Sequence, residues 1–219
     1  MNNLLNPDNP VMQFITQIVT TVYLNILWFL CCLPIFTAGA ATTALYYVTL
    51  KMVKNEEGNI TKAFFHSFKE NFKQGTIIWL ILLAFGILLG VDGYVLYHLR
   101  FENAFWTICS AILIVVILAY VIVLLYIFPL LSRFDNTIFS MFKNSIMLGM
   151  RFLFCTVLMA VIYFVMAFVI INVFTPAVIF GEGLCAFLCS YLLSNILLMC
   201  QEKAESTPEA SEDTEEELS

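Results

Sequence analysis

Charge is what this sequence has least of. Lys, Arg, Asp and Glu make up 12% of its 219 residues, about half the share found in an ordinary soluble domain. So few charges leave no means of covering a water-exposed surface. A soluble enzyme, a secreted disulfide scaffold and a nucleic-acid binder are set aside together. Histidine is scarcer still, with His66 and His98 in separate segments. The seven cysteines, at 31, 32, 109, 155, 185, 189 and 200, include no C-x-x-C. A zinc site needs clustered ligands, so no metal or other cofactor is expected and the thiols read as small apolar packing groups. G-x-S-x-G, H-E-x-x-H and P-loop patterns are absent, and no span holds a histidine or paired acids, so the chain is expected not to be an enzyme.

What is abundant is apolar. Hydrophobic residues reach 61% and mean hydropathy is +0.91. The fold class that follows is all-α, a polytopic membrane helix bundle. Uncharged runs place the spans, because about 20 residues cross a hydrocarbon core of about 30 Å. Five are predicted, at about 14–36, 76–97, 104–131, 152–174 and 183–200, within one membrane domain over residues 1–200. The first run lacks a basic n-region and a small-residue cleavage site, so it is expected to be retained. Residues 201–219 carry eight acids against Lys203, which predicts a disordered acidic tail.

Nine of the ten Lys and Arg fall on one side of these spans and only Arg100 on the other. By the positive-inside rule the N-terminus lies outside and the tail is cytoplasmic. Residues 37–50 are uncharged but short. They read as a membrane-level or interfacial helix, with a six-span topology and an inside N-terminus as the alternative.

Two amphipathic segments flank the lysine-rich side. In Asn55–Gln74, Phe64, Phe65, Phe68 and Phe72 share one helical face while Lys62, Lys69 and Lys73 lie elsewhere. This predicts a cytoplasmic interfacial helix, with Phe64, Phe65, Phe68, Lys69, Phe72 and Lys73 as lipid contacts. Residues 137–150 repeat the pattern with Ile138, Phe139, Phe142 and Ile146 opposite Lys143. Phe65-x-x-Phe68-Lys69 matches Phe139-x-x-Phe142-Lys143, each shortly before a span, so a duplicated half is an alternative to two independent helices.

The polar residues near or within spans are the candidate sites, since burying a charge in a bilayer is costly. Asp92 sits beside Gly86-x-x-x-Gly90, a close-packing motif, and reads as a cation or proton site or as an interfacial acid closing its helix. Asn25, nearly mid-span, is expected to bond across helices. Glu182, between Gly181 and Gly183, reads as an exposed turn acid. Arg133, Asp135 and Asn136 form the densest polar cluster. Either Asp135 or Asn136 caps the next helix, or the three make a docking surface with Arg133 paired to Asp135 or to a partner.

The run from Asn25 through Trp28, Leu33-Pro34, Thr37, Gly39, Thr42-Thr43 and Tyr46-Tyr47 resembles the N-terminal signature of the YesL family, the domain of unknown function 624. Phe64-Phe65-x-Ser67-Phe68-Lys69-x-Asn71-Phe72-Lys73-Gln74 and Arg133-Phe134-Asp135-Asn136-Thr137 are similar to the same family. The resemblance implies a multi-pass protein of the bacterial cytoplasmic membrane, in a family often encoded beside carbohydrate uptake systems and their sensors. It supplies no catalytic or ligand-binding residues. The leading expectation is a non-enzymatic accessory to carbohydrate uptake or sensing, partnered by the lipid bilayer and by a carbohydrate ABC permease or a sensor kinase. A small solute transporter or channel using Asp92 and Asn25 is the alternative, and a lipid-organising protein working through the Phe/Lys helices is a third reading.

Overall fold

A computed structural model describes the backbone of residues 10–54, 56, 58–98, 104–172 and 178–216, with side chains for 15–54, 56, 58–98, 105–172 and 181–200. The described residues form eight α-helices: α1 (Pro10–Cys32), α2 (Ala38–Val53), α3 (Ile60–Glu70), α4 (Phe72–His98), α5 (Ala104–Leu131), α6 (Ile138–Arg151), α7 (Leu153–Asn172) and α8 (Val178–Glu216). A single 3-10 turn, Ile35–Thr37, joins α1 to α2. Among the described residues, five stretches are long and apolar enough to cross a membrane: Ile15–Cys32, Phe72–His98, Phe105–Leu131, Leu153–Asn172 and Gly181–Cys200. Each lies on one of the five predicted spans. The outer faces of α4, α5 and α7 expose row upon row of Ile, Leu, Val and Phe, the surface a bilayer solvates. The chain is a multi-pass membrane protein.

The centre of the bundle is α2. It packs against α1, α3, α4, α5 and α8, and Ala40, Ala41, Ala44, Leu45 and Met52 have no exposed surface. Of the two readings of residues 37–50, membrane-level or interfacial, the interfacial one is corrected: from Ala38 the segment is helical and protein surrounds it. Its small residues are the reason. A Cβ placed on Gly39 would strike the backbone of Gly75 and the side chain of Trp79, and one on Gly75 would come within 3.0 Å of the Ala40 backbone. With sixteen residues, α2 is about 24 Å long, short of a full crossing.

Hydroxyls and indoles make the side-chain hydrogen bonds of this core. Thr43 donates to Gly39 O at 2.9 Å and Thr49 to Leu45 O at 3.0 Å, the usual way a buried threonine satisfies itself in a helix. Trp28 Nε1 donates to Thr42 Oγ1 at 3.0 Å and Trp79 Nε1 to Ile35 O at 2.8 Å. The second bond fixes α4 against the turn between α1 and α2.

The amphipathic helices α3 and α6 begin at side-chain caps. Asn59 Oδ1 accepts from Lys62 N at 3.1 Å and Thr137 Oγ1 from Ser140 N at 3.4 Å. Thr137 thus caps α6, in place of the expected Asp135 or Asn136, because its extended backbone directs the hydroxyl at the first free amides. A lone residue, Asn71 or Phe152, separates each amphipathic helix from the following span. Backbone bonds Gly75 N to Asn71 O and Thr156 N to Phe152 O carry the helical pattern across both joints. The helix, amphipathic helix, span unit therefore occurs twice.

The residues expected to contact lipid divide. Phe64 is fully buried and stacks on Phe68, centroids 6.4 Å apart, facing α2 and not lipid. Phe68 is half-buried, whereas Phe65, Lys69, Phe72 and Lys73 are exposed. The backbone of residues 201–216 is described as a continuation of α8.

The Gly39–Gly75 approach generates a test. Gly39→Val is expected to cost about 2 kcal/mol by overpacking and to lower the thermal unfolding midpoint in detergent. Gly90→Ala, where an added Cβ meets nothing within 4 Å and Ala is the better helix former, is expected not to lower it.

Candidate functional site

Polar chemistry collects in two places, one inside the bundle and one at its lysine-rich end. The inner group begins with Asn25 on α1, which has no exposed surface. Its Oδ1 accepts from Gly183 N on α8 at 2.6 Å. That bond needs glycine, since a Cβ on Gly183 would lie 2.9 Å from Thr21 O and 3.0 Å from Asn25 Cβ. Asn25 therefore glues two helices in a dry contact.

One residue away, Glu182 departs from its sequence reading. It is half-buried inside α8 and not an exposed turn acid, because α8 already starts at Val178 and the flanking glycines are helical. Tyr163 OH donates to Glu182 Oε1 at 3.3 Å, and the Tyr46 and Tyr163 hydroxyls are 2.8 Å apart. A carboxyl group and two phenols thus form a chain linking α8, α7 and α2. Close by, Thr49 and Ser190 share a hydroxyl bond of 2.8 Å. The sequence carried a usable signal here, since Gly-x-Gly within an apolar run also marks close helix packing.

Asp92 takes no part. It is exposed on α4, and α1 and α4 are not among the principal helix contacts. Of its neighbouring glycines, Gly86 packs against the hydroxyl of Tyr120, whose proton goes to Leu82 O at 3.0 Å, while Gly90 faces open space. Asp92 and Asn25, paired as a transport path in the sequence reading, are not brought together.

The second group lies where α5 ends. Pro129 sits inside the last turn of α5, and Ser132 Oγ donates to Pro129 O at 2.7 Å. Arg133 follows, half-buried. Its Nη2 is buried with no hydrogen-bond partner among the described residues. Burial pulls the guanidinium below its ordinary pKa, while Glu56 and Tyr47 act in the opposite sense. The expected pairing with Asp135 is not formed; among the described residues the ion pair found is His66–Glu70, at 3.3 Å. Asp135 and Asn136 are exposed because the chain turns outward between α5 and α6. Gln74 Nε2 donates to Asn136 O at 2.6 Å, tying this link to the start of α4.

Two cavities open at this end. One, about 390 Å³, lies among α5, α6 and α8 beside the joint residue Phe152 and is walled by Phe134, Asn136, Asn144, Arg151 and several apolar side chains. The other, about 370 Å³, lies between the end of α2 and α3, where Lys51, Glu56, Asn59, Lys62 and His66 face it beside Tyr47. Lys51 Nζ lies 4.5 Å from the centre of the Tyr47 ring, a cation–π distance. Among the described residues, no group of three or more His, Cys, Asp or Glu could hold a metal ion.

Residues 21–93 match the family described as protein of unknown function, DUF624. The match covers α2, α3 and most of α4 and stops short of Arg133. The chain is 26% identical over 156 residues to the uncharacterized protein YesL of Bacillus subtilis (strain 168), covering 69% of this chain and 72% of that protein. It is 28% identical over 147 residues to the uncharacterized protein YteU of the same organism, covering 65% of each, which is under two thirds of YteU. No solved structure matches.

The inner contact predicts a graded response. Asn25→Ala is expected to destabilise by about 2 kcal/mol, through the lost bond and the vacated volume, and Asp92→Asn to be neutral. Thermal unfolding of the two variants in one detergent checks the contrast.

Proposed function

Since this chain is a YesL-like member of the DUF624 family, we propose that it is a non-enzymatic accessory of the cytoplasmic membrane that modulates carbohydrate uptake or its sensing. The observation that supports this reading is the distribution of polarity. Asn25 is spent on a dry helix contact, while the polar groups free to meet another molecule, Asp135 and Asn136 with Arg133 behind them, lie on the lysine-rich end. In this reading that end is cytoplasmic, in keeping with the lysine bias, and Arg133, Asp135 and Asn136 form the face that meets a sugar permease or a sensor kinase. The link to carbohydrate rests on the family resemblance alone.

A second reading, passage of a small solute, draws on the Glu182–Tyr163–Tyr46 chain, because an acid within a bundle is a functional candidate by default. Asp92, on the exposed face of α4, no longer supports it.

A tagged pull-down from native membranes in mild detergent separates the two. The accessory reading predicts co-purification of a permease or sensor kinase, lost in Arg133→Ala/Asp135→Ala with the protein still folded. A partner-free preparation that moves solute in proteoliposomes, with Glu182→Gln abolishing the flux, would replace it with the second reading.

A further inference from the structure

Glu182 is placed where a charge is hardest to hold. It stands near the start of α8 (Val178–Glu216), yet its partners set it deep. Tyr163, whose hydroxyl donates to Glu182 Oε1 at 3.3 Å, belongs to the middle of the span Leu153–Asn172, about 15 Å along it. Gly183, next in sequence, donates its amide proton to Asn25 Oδ1 at 2.6 Å, and Asn25 belongs to the middle of the span Ile15–Cys32. Two different spans thus place the carboxyl near the centre of the bilayer.

No cation accompanies it. Among the described residues no Lys, Arg or His lies within ion-pair distance of Glu182, and residues 173–180, which precede it, include no ionisable residue. The titratable groups around it are Cys32 from α1, Tyr46 from α2, Tyr163 from α7, and Cys185 and Cys189 from α8 itself. Tyr126 of α5 acts on Cys189. All of these are thiols or phenols, neutral acids near pH 7 in ordinary surroundings, so none supplies a positive charge.

The second observation is the hydroxyl chain. A phenol has an ordinary pKa near 10 against about 4 for a carboxyl, so Tyr163 does not give up its proton to Glu182. It goes on donating to Oε1 whether the carboxyl is ionised or neutral, and the Tyr46 hydroxyl backs it at 2.8 Å. The chain anchors one carboxyl oxygen without neutralising the group. A bare carboxylate at this depth is costly, which calls for a positive ligand from outside. A metal cation asks for several oxygen ligands, and no group of three or more His, Cys, Asp or Glu gathers for one among the described residues. A proton needs a single carboxyl oxygen.

We propose that Glu182 is a reversible proton-binding site at the centre of the membrane domain. The bound proton makes a neutral acid that joins α8 to α7 and α2 through Tyr163 and Tyr46. Its release leaves a carboxylate that the same packing does not hold dry, so occupancy of the site is coupled to the fit of these three helices. One proton moves between water and the carboxyl, and both phenols stay as they are. The site goes beyond both readings of function: neither a partner nor a flux is needed to observe it, so it stands or falls separately from them.

The test is infrared spectroscopy of the full chain in phosphatidylcholine nanodiscs at about pH 6, where exposed carboxyls are ionised. A protonated-carboxyl C=O band is expected in the wild type and not in Glu182→Gln, and it fades reversibly as the pH is raised. Tyr163→Phe, with the carboxyl in place, is expected to move the band to higher frequency, because the carbonyl loses its hydrogen-bond donor. That shift assigns the band even if Glu182→Gln does not fold. The thermal midpoint is a second readout. A carboxyl that is protonated in the fold and ionised after unfolding makes stability fall as pH rises above the ordinary carboxylate range. Between about pH 6 and 8 the wild type is therefore expected to lose more of its midpoint than Glu182→Gln.

An ionised Glu182 at pH 6 overturns the proposal. So does a band lost on adding sodium at constant pH, which makes a metal cation the ligand. A band that persists at every pH where the protein stays folded also overturns it, leaving a permanently neutral structural acid.

Discussion

The close approach of α2 to α4 at Gly39 and Gly75 sets the spacing from which the other helices take their places. A helix whose first turns carry Gly39, Ala40 and Ala41 brings its backbone almost against that of its neighbour, and dispersion contacts then act over its whole length. Once α2 is central, α1 must fold back over it through the 3-10 turn. The α3 helix must lie along it, and Trp79 reaches the turn carbonyl of Ile35. Phe64 is drawn inward by the same arrangement. In a bilayer no hydrophobic force between spans supplies this order, so close packing and internal hydrogen bonds supply it.

That constraint also separates the polar residues by role. Within the bundle, Asn25, Thr43, Thr49, Ser190 and Tyr46 all have partners, so they hold helices together. Glu182 is the one inner carboxyl described, and two phenols in series lead from it to the central helix. At the lysine-rich end the packing loosens. Cavities open, Arg133 Nη2 has no partner among the described residues, and Asp135 and Asn136 are exposed.

The five spans were legible because charges are so rare that each one marks a boundary. Periodicity also found α3 and α6 and the side of each that carries the apolar residues. It did not say what that side would meet: Phe64 fits lipid and protein equally well by pattern, and only the position of α2 decides. The role of α2 itself was hidden because a helix apolar all round has no amphipathic signal, and its small residues read as a short interfacial piece. Glu182 was misread for a related reason. Glycines on both sides suggest a turn, yet within a helix the same glycines admit close neighbours, Met166 at Gly181 and the Thr21 backbone with Asn25 at Gly183. Arg133 was singled out by local density of polar residues, but its relation to Glu56 and Tyr47 depends on contacts across more than seventy positions of chain, which spacing cannot reveal.

Hydrogen–deuterium exchange in lipid nanodiscs tests the central claim, that α2 is the buried core of the bundle, most directly. Residues 40–52 are expected to exchange among the slowest of the chain, and more slowly than the exposed helix α3 beside them. Exchange of α2 as fast as that of α3 would place it at the membrane surface, and the arrangement of helices around it would have to be abandoned.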